Sequence, residues 1–187
     1  MHSEQRRGEV THFRAWYEKK QYKIYDLKNT NTYFEGNGDA CIQPKYGIIW
    51  GGYGFRTSVE AYHEIAERFH RPVVALNLKR PEFYHLDTCF SILDKKTVVI
   101  QPDAFADEAL KMIHEVFEKV IPVNLEDAVK YFSGNCHSPD GVHVILQQGA
   151  SKFRKDLEKA GFNPIEVDTS EFMKSGGSVY CMKMMAF

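Results

Sequence analysis

The order of the predicted elements repeats along the 187-residue chain. A helix is followed each time by a strand, and the strand ends fall near Leu27, Leu78, Leu125 and Asp168. This spacing of roughly 45 to 50 residues is typical of repeat architectures, in which each unit buries its apolar face against a neighbour. We therefore expect an α/β fold of about four units whose hairpins converge on one axis. An ordinary α/β sheet with chance regularity is the alternative interpretation.

The predicted elements have definite boundaries. Apolar residues at helical spacing predict helices over residues 11–20, 58–70, 104–117 and 151–160. Alternation and β-branched content predict strands over residues 22–27, 73–78, 97–100, 120–125 and 164–168. Ser58 is expected to cap the second helix, and Gly161 is expected to end the fourth.

A histidine and an aspartate stand close together in Phe83-Tyr84-His85-Leu86-Asp87-Thr88-Cys89-Phe90. This stretch reads as the beginning of a strand, where side chains at i and i+2 point to the same face. That face would carry a titratable base and a carboxylate, and a buried carboxylate needs a partner. The alternative for His85 is a surface histidine or a hydrogen-bonded core histidine.

Composition excludes several classes of function. The formal net charge is −1, so no basic field indicates a nucleic-acid partner. No apolar run approaches the ~20 residues of a membrane helix, and the polar N-terminus lacks a signal peptide's apolar stretch, so a cytoplasmic location is expected. Because Cys41, Cys89, Cys136 and Cys181 form no Cys-x-x-Cys pair, free thiols are expected rather than a structural zinc site.

Cys181 is a candidate nucleophile near the end of the chain. It follows Gly176-Gly177-Ser178, and glycines there allow close backbone approach to a ligand. A nucleophilic cysteine needs a depressed pKa, usually from a histidine or a cation, and His85 is the best candidate for that partner. A buried structural cysteine in a last strand is the alternative.

Two acidic residues and an arginine complete the candidate set. Glu35 and Asp39 lie among glycines, which indicates close approach to a ligand or simply a polar hairpin turn. Arg56 precedes a predicted helix, where it and free backbone N–H groups would suit a carboxylate. Alternatively, Arg56 is a surface charge beside a helix cap.

Four stretches occur in an order and spacing that resemble the guanidino-group modifying enzymes, which include dimethylarginine dimethylaminohydrolases, arginine deiminases and amidinotransferases. They are Phe34-Glu35-Gly36-Asn37-Gly38-Asp39, Gly52-Tyr53-Gly54-Phe55-Arg56-Thr57, Phe83-Tyr84-His85-Leu86-Asp87-Thr88 and Gly176-Gly177-Ser178-Val179-Tyr180-Cys181. The likeness covers nearly the whole chain. It implies a pentein fold, in which five ββαβ units surround a central channel, and it implies no metal or organic cofactor.

The resemblance also implies catalytic roles. Cys181 would attack the guanidinium carbon, and His85 would act as general acid and base. Glu35 would hold and tune His85. The chemistry is consistent, since a thiolate is a strong nucleophile and a covalent amidino-thioether divides one hard step into two.

The same resemblance implies the substrate-binding residues. Asp87 would bind guanidinium nitrogens, because carboxylates match a planar cation. Arg56 would take the α-carboxylate of the substrate, Asp39 would bind less directly, and Phe34 belongs to the same binding set.

The chain departs from the family in its number of units. We count about four of the five, so residues 1–187 are expected to form one pentein-like catalytic domain that lacks its first unit. Either the sequence is shortened, or a homo-oligomer or a partner supplies the missing unit. The function expected is hydrolysis of an arginine-like guanidino compound, with amidino transfer or a non-catalytic binding role as alternatives. His137 and Asp140 are expected to be loop residues rather than a second site.

Overall fold

The computed structural model describes residues 2–183, which contain helices, strands and five short 3₁₀ turns. The helices are α1 (Glu9–Lys19), α2 (Ala61–Phe69), α3 (Asp107–Val116), α4 (Leu125–Tyr131), α5 (Ser151–Lys159) and α6 (Ser170–Met173). The strands are β1 (Ala40–Ile42), β2 (Ile49–Tyr53), β3 (Val73–Asn77), β4 (Phe90–Ile92), β5 (Thr97–Ile100), β6 (Lys119–Pro122), β7 (His143–Gln147) and β8 (Asn163–Val167).

Two sheets share one connectivity. In the first, β1 and β2 form an antiparallel pair and α2 returns the chain so that β3 pairs parallel with β2. In the second, β4, β5, α3 and β6 repeat the same order and directions. Each central strand is buried, as its apolar sequence requires. These two sheets are therefore complete ββαβ units.

The third sheet is a shorter version of the same unit. Strands β7 and β8 pair in parallel across α5. A single antiparallel bridge between His137 and Ile145 stands where the first strand pair of the unit would be. The chain before β7 forms α4, whose N-terminus is capped by Asn124 through a hydrogen bond from the Asp127 amide.

The predicted strand over residues 22–27 is wrong. These residues have no strand partner within the described chain, and Tyr22 and Tyr25 are exposed. Alternating polarity indicates a strand only where a neighbouring backbone can complete the hydrogen-bond ladder. The count of four units depended on this strand, whereas residues 2–183 contain two complete units and one shortened unit.

The other predicted elements lie close to their observed positions. Strand β5 has the predicted bounds, and α1, α3, α5, β3, β6 and β8 differ from prediction by a few residues at their ends. Helix α2 begins at Ala61 rather than Ser58, whose hydroxyl instead accepts a hydrogen bond from the Tyr33 amide. Helices α4 and α6 and strands β1, β2 and β7 were not predicted.

A continuous core joins the first two sheets. Trp50 of β2 is fully buried and packs against Phe90 and Phe117 of the second unit, with ring centroids 5.4 and 5.1 Å away. Its indole N–H donates to Gln43 Oε1 at 3.0 Å, so the ring's only donor is satisfied. This packing fixes the loops that follow β3 and precede β4 against the first sheet. The longest described helix, α1, has 11 residues, and no described helix has the length and apolarity of a membrane span.

Candidate active site

Cys181 lies in a turn that follows α6, and its sulfur contacts two buried side chains. The thiol donates to Asp87 Oδ2 at 3.2 Å and accepts a hydrogen bond from Asn135 Nδ2 at 3.1 Å. The residue itself is partly open to solvent. The nucleophile predicted from sequence therefore sits against the carboxylate that was predicted to bind guanidinium.

The segment before Cys181 is held by a buried polar network. Gln147 Oε1 accepts from the amide and the hydroxyl of Thr169, and Thr169 Oγ1 lies 2.7 Å from Ser178 Oγ. The Tyr84 hydroxyl also donates to the carbonyl of Gly176. The third sheet and the His85 loop thus both fix the position of the cysteine turn.

His85, Glu35 and Arg56 form a second cluster. Glu35 Oε2 is 2.7 Å from His85 Nε2 and 3.2 Å from Arg56 Nη1, and Glu35 Oε1 accepts from the His2 amide at 2.8 Å. Burial opposes the charged form of Glu35, but the hydrogen bonds from His2 and His85 and the nearby charges outweigh it and lower the pKa of Glu35. The Arg56 guanidinium also stacks over Tyr84, 4.9 Å from the ring centroid.

The prediction that His85 begins a strand is wrong. His85 has an extended backbone, but residues Leu86–Thr88 form a 3₁₀ turn and β4 begins only at Phe90. The turn separates the two side chains, so His85 meets Glu35 whereas Asp87 meets Cys181. Gly38 leaves the room that the imidazole needs, because a Cβ there would lie 3.0 Å from His85 Nδ1.

Asp39 ties the first unit to this turn. It is fully buried, and its two carboxylate oxygens accept from the Thr57 hydroxyl at 2.6 Å and from the Leu86 amide at 2.9 Å. Burial raises the pKa of Asp39 against the effect of those hydrogen bonds. Both carboxylate oxygens of Asp39 therefore accept hydrogen bonds from the protein, and the contact with Leu86 positions the turn that follows His85.

Asp87 is the electrostatic centre of the site. It is buried, and within residues 2–183 no donor reaches its Oδ1. Burial, with a smaller contribution from the charge of Asp39, raises the pKa of Asp87 to about 7. Burial, followed by the charge of the same carboxylate, raises the pKa of the Cys181 thiol to about 12. The site therefore carries a negative charge that lacks a full set of partners.

A pH dependence of stability follows from the raised pKa of Asp87. Below about pH 4 the carboxyl is protonated in the folded and unfolded chain alike, and above that pH the unfolded chain loses the proton first. Since the pKa rises from 3.8 to about 7, the free energy of unfolding of the wild type should fall relative to Asp87→Asn. The fall should reach up to about 4 kcal/mol between about pH 4 and 7, at about 1.36 kcal/mol per pKa unit, and then level off.

Denaturant unfolding of both proteins from pH 4 to pH 8 measures this difference. The comparison cancels the other titrating groups, of which His137 has the opposite sign because burial lowers its pKa to about 4. A constant difference between the two proteins across this range would show that Asp87 is ionised at its ordinary pKa.

Of the remaining predicted residues, Phe34 is half-buried and packs edge-on against Tyr62 of α2, with ring centroids 6.2 Å apart. The role of Phe34 in substrate binding stays a prediction. His137 forms the isolated bridge with Ile145 rather than lying in a loop, whereas Asp140 lies in the loop before β7, as expected. All four cysteines are free. No group of three metal-ligating side chains occurs among residues 2–183.

Sequence reasoning missed Asn135. This buried residue follows Gly134 in a segment that looked irregular, and its amide reaches the cysteine sulfur. The pair Gly134-Asn135 was the only available signal, since a glycine before a polar residue in a buried stretch indicates close backbone packing.

Comparison with known proteins identifies the family of this chain. Over residues 1–187 the sequence matches the family described as N,N dimethylarginine dimethylhydrolase, eukaryotic. The chain belongs to this family. It is 38% identical over 177 residues to the N(G),N(G)-dimethylarginine dimethylaminohydrolase of Mycobacterium tuberculosis. The match covers 95% of this chain and 56% of that protein, so this dimethylarginine dimethylhydrolase family member spans little more than half the length of its relative.

Solved structures show the same fold. The N-terminal domain of ArgZ, a Synechocystis arginine dihydrolase, superposes with a TM-score of 0.89 at 34% identity, over 96% of this chain and 66% of that one. SxtG, an amidinotransferase of Microseira wollei, has a TM-score of 0.62 at 19% identity, over 77% of this chain and 42% of that one, and shows likeness of fold alone. These comparisons confirm the predicted α/β pentein-type fold, while closure of the units into a propeller stays a prediction.

Proposed function

We propose that this family member is a cysteine-dependent hydrolase of an arginine-like guanidino compound. The observation that carries the proposal is the contact between the Cys181 sulfur and Asp87, a buried carboxylate with one oxygen that meets no donor in the described part of the chain. A guanidinium is a planar cation with several N–H donors, so it would supply both the charge and the donors that Asp87 lacks. The reacting carbon of such a ligand would then lie next to the thiol.

Binding of the cation would also activate the nucleophile. In the free protein, burial and the negative charge of Asp87 keep the pKa of Cys181 at about 12, so the thiol is protonated. A guanidinium on Asp87 would offset that charge and lower the pKa of the thiol. Reactivity would therefore depend on the presence of a cationic substrate.

The proposed reaction proceeds in two halves. The Cys181 thiolate attacks the guanidinium carbon and forms a C–S bond, and the C–N bond to the leaving amine breaks as His85 donates a proton to that nitrogen. A water molecule, deprotonated by His85, then adds to the carbon of the amidino-thioether. The C–S bond breaks, which releases a ureido product and returns the thiolate. Glu35 orients the imidazole throughout.

Relatives support this reaction class. The Mycobacterium tuberculosis protein is a dimethylarginine dimethylaminohydrolase, and the ArgZ domain has been captured covalently bound to a reaction intermediate. In the proposal, Arg56 takes the substrate's α-carboxylate, which requires it to exchange its ion pair with Glu35 for one with the ligand. Phe34 would line the binding site. Asp39 would act indirectly, by holding the turn that follows His85 through the Leu86 amide.

The proposal includes completion of the site by another unit. Helix α1 has no buried residue and exposes Val10, Phe13 and Trp16. Adjacent exposed apolar side chains of this size often mark an interface. We infer that a partner or a second copy of the chain covers this face, and that residues 1–187 belong to one catalytic domain. A cytoplasmic location stays a prediction.

Covalent labelling by a haloacetamidine tests the proposed function. The amidinium mimics the guanidinium and the halide traps the thiolate, so labelling requires an assembled site without requiring the true substrate. We expect an adduct on Cys181 that forms at least about tenfold faster than with neutral iodoacetamide, because Asp87 attracts the cation. Intact mass and peptide mapping measure both rates. Cys181→Ser is the matched control and should take up no amidine.

Two results would contradict the proposal. One is labelling no faster than with iodoacetamide, and the other is labelling spread over the buried Cys41, Cys89 and Cys136. If labelling is selective, turnover of arginine and methylated arginine should give a ureido product. Consumption only when an amine acceptor is added would indicate amidino transfer, and selective labelling without turnover of any guanidino compound would indicate a binding role.

A further inference from the structure

The side chain of Asn135 forms four hydrogen bonds in and beside the cysteine turn, and no sequence motif predicted them. Its Nδ2 donates to Cys181 Sγ at 3.1 Å and to the Asp87 carbonyl at 2.7 Å. Its Oδ1 accepts from the amide of Tyr180 at 3.1 Å and from the amide of Cys181 at 3.4 Å. One amide side chain therefore connects the nucleophile, its own backbone and the loop that carries Asp87.

These contacts fix which end of the amide faces the sulfur. Backbone N–H groups can only donate, so Oδ1 must point toward Tyr180 and Cys181, and Nδ2 must then point toward the sulfur. Neither hydrogen on Nδ2 is left for another acceptor, since the Asp87 carbonyl takes the second one. The donor to the sulfur is thus held in place before any ligand binds.

The backbone that carries Asn135 is equally constrained. The Asn135 amide donates to the Phe132 carbonyl at 2.8 Å, and Ser91 Oγ lies 2.8 Å from the carbonyl oxygens of both Gly134 and Cys136, which share its one hydrogen. A Cβ at position 134 would lie 2.5 Å from the Thr88 carbonyl oxygen, so only glycine lets this segment approach the Asp87 loop so closely. Asn135 is 1% exposed, and no solvent competes for its amide.

We propose that Asn135 stabilises the Cys181 thiolate through the N–H···S hydrogen bond and is a catalytic residue of the reaction. This inference rests on the proposed function only in taking Cys181 as the nucleophile. A neutral donor suits the position, because it favours the thiolate over the thiol without neutralising the carboxylate that must bind a cation. A lysine or arginine there would pair with Asp87 and occupy the place of the substrate.

Other charged groups surround the sulfur and must be separated from Asn135 in a test. Asp87 disfavours the thiolate and a backbone hydrogen bond from Ser178 favours it. Lys183, whose Nζ lies over the Tyr180 ring, partly offsets the charge of Asp87. None of them is altered in the variants below. Differences between those variants therefore report on the amide.

The test is the rate of Cys181 alkylation by neutral iodoacetamide between pH 7 and pH 9.5, with peptide mapping. In this range the rate is proportional to the thiolate fraction. Asn135→Leu removes the donor in nearly the same volume, and we expect alkylation on the order of tenfold to a hundredfold slower, as for one lost hydrogen bond to a charged group. Asn135→Asp keeps the acceptor for Tyr180 and Cys181 while removing the donor, and should be at least as slow.

A purely structural role predicts the opposite sign. If Asn135 only ordered the turn, its loss would let the thiol move away from Asp87 and let its pKa relax toward an ordinary value, so alkylation would be faster. Ser91→Ala, which loosens the same segment without touching the sulfur, is the matched control and should not slow the reaction. Alkylation of both Asn135 variants at or above the wild-type rate would overturn the proposal.

The same experiment is independent of guanidinium recognition. Iodoacetamide is neutral, so its rate does not require an assembled cation site. If amidine labelling is not selective but the Asn135 variants are slow, the hydrolase proposal is contradicted, while the stabilisation of the Cys181 thiolate by Asn135 still holds. Selective amidine labelling together with fast alkylation of the Asn135 variants would support the hydrolase and contradict the role proposed for Asn135.

Discussion

Asp87→Asn is expected to react faster than the wild type with iodoacetamide and slower with a haloacetamidine. The substitution removes the negative charge that, with burial, raises the pKa of Cys181. More thiolate at a given pH should speed alkylation by the neutral reagent, on the order of tenfold for a change of one pKa unit. The cationic reagent loses its charge partner, so its rate should fall on the order of tenfold to a hundredfold.

Opposite signs make this prediction specific to the proposed site. A loosened fold would speed both reagents, and a blocked site would slow both. Pseudo-first-order rates at pH 8, read by intact mass, give the two values from one sample. Glu171→Gln removes one negative charge from the exposed helix α6 before the cysteine turn, pairing there with Lys174, and should leave both rates unchanged. Parallel changes with the two reagents in Asp87→Asn would contradict the assigned role.

Asp39→Ala is expected to lower the free energy of unfolding by about 2 to 4 kcal/mol and to release the His85 loop from the first sheet. Its carboxylate is the acceptor for two buried donors, the Thr57 hydroxyl and the Leu86 amide. A buried donor without a partner costs about 1 to 3 kcal/mol, and the vacated volume adds to that. Loss of the Leu86 contact frees the turn that positions both His85 and Asp87, so amidine labelling should also slow.

Asp39→Asn separates charge from hydrogen bonding at the same position. An amide oxygen can still accept from the Leu86 amide, and the Thr57 hydroxyl can rotate to accept from the amide nitrogen. We expect this variant to unfold within about 1 kcal/mol of the wild type, since the burial of a charge is also removed. Equal destabilisation by alanine and asparagine, measured by denaturant unfolding at pH 7, would instead show that the charge itself holds the loop.

Regular periodicity made most of the fold predictable from sequence. Helix α3 and strand β5 combine apolar spacing with clear ends, and each packs against neighbours that the repeat supplies. Residues 22–27 alternate just as well but meet no partner strand in the described chain, and sequence alternation cannot supply one. Helix α4 has seven residues, too short for its period to stand out from the loop around it.

The candidate site residues that could be predicted from sequence are those that stand in recognisable motifs. Glu35, His85 and Cys181 were identified through their motifs, and the structure brings Glu35 to His85 and Asp87 to Cys181. The 3₁₀ turn at Leu86–Thr88 could not be predicted, because it depends on a hydrogen bond from Leu86 to the distant Asp39. Asn135 escaped notice because a buried amide has the composition of an ordinary loop until its partners are known.

In the proposed mechanism, the ion pair between Glu35 and Arg56 would link recognition of a ligand's tail to turnover. Glu35 Oε2 is shared between His85 and Arg56, so a carboxylate that draws Arg56 away leaves the imidazole as the remaining partner of that oxygen. Compounds with the same head group but no carboxylate would leave the shared arrangement intact. Selectivity between the two kinds of compound would then be found in kcat as well as in KM, because the tail alters the environment of the proton donor rather than affinity alone.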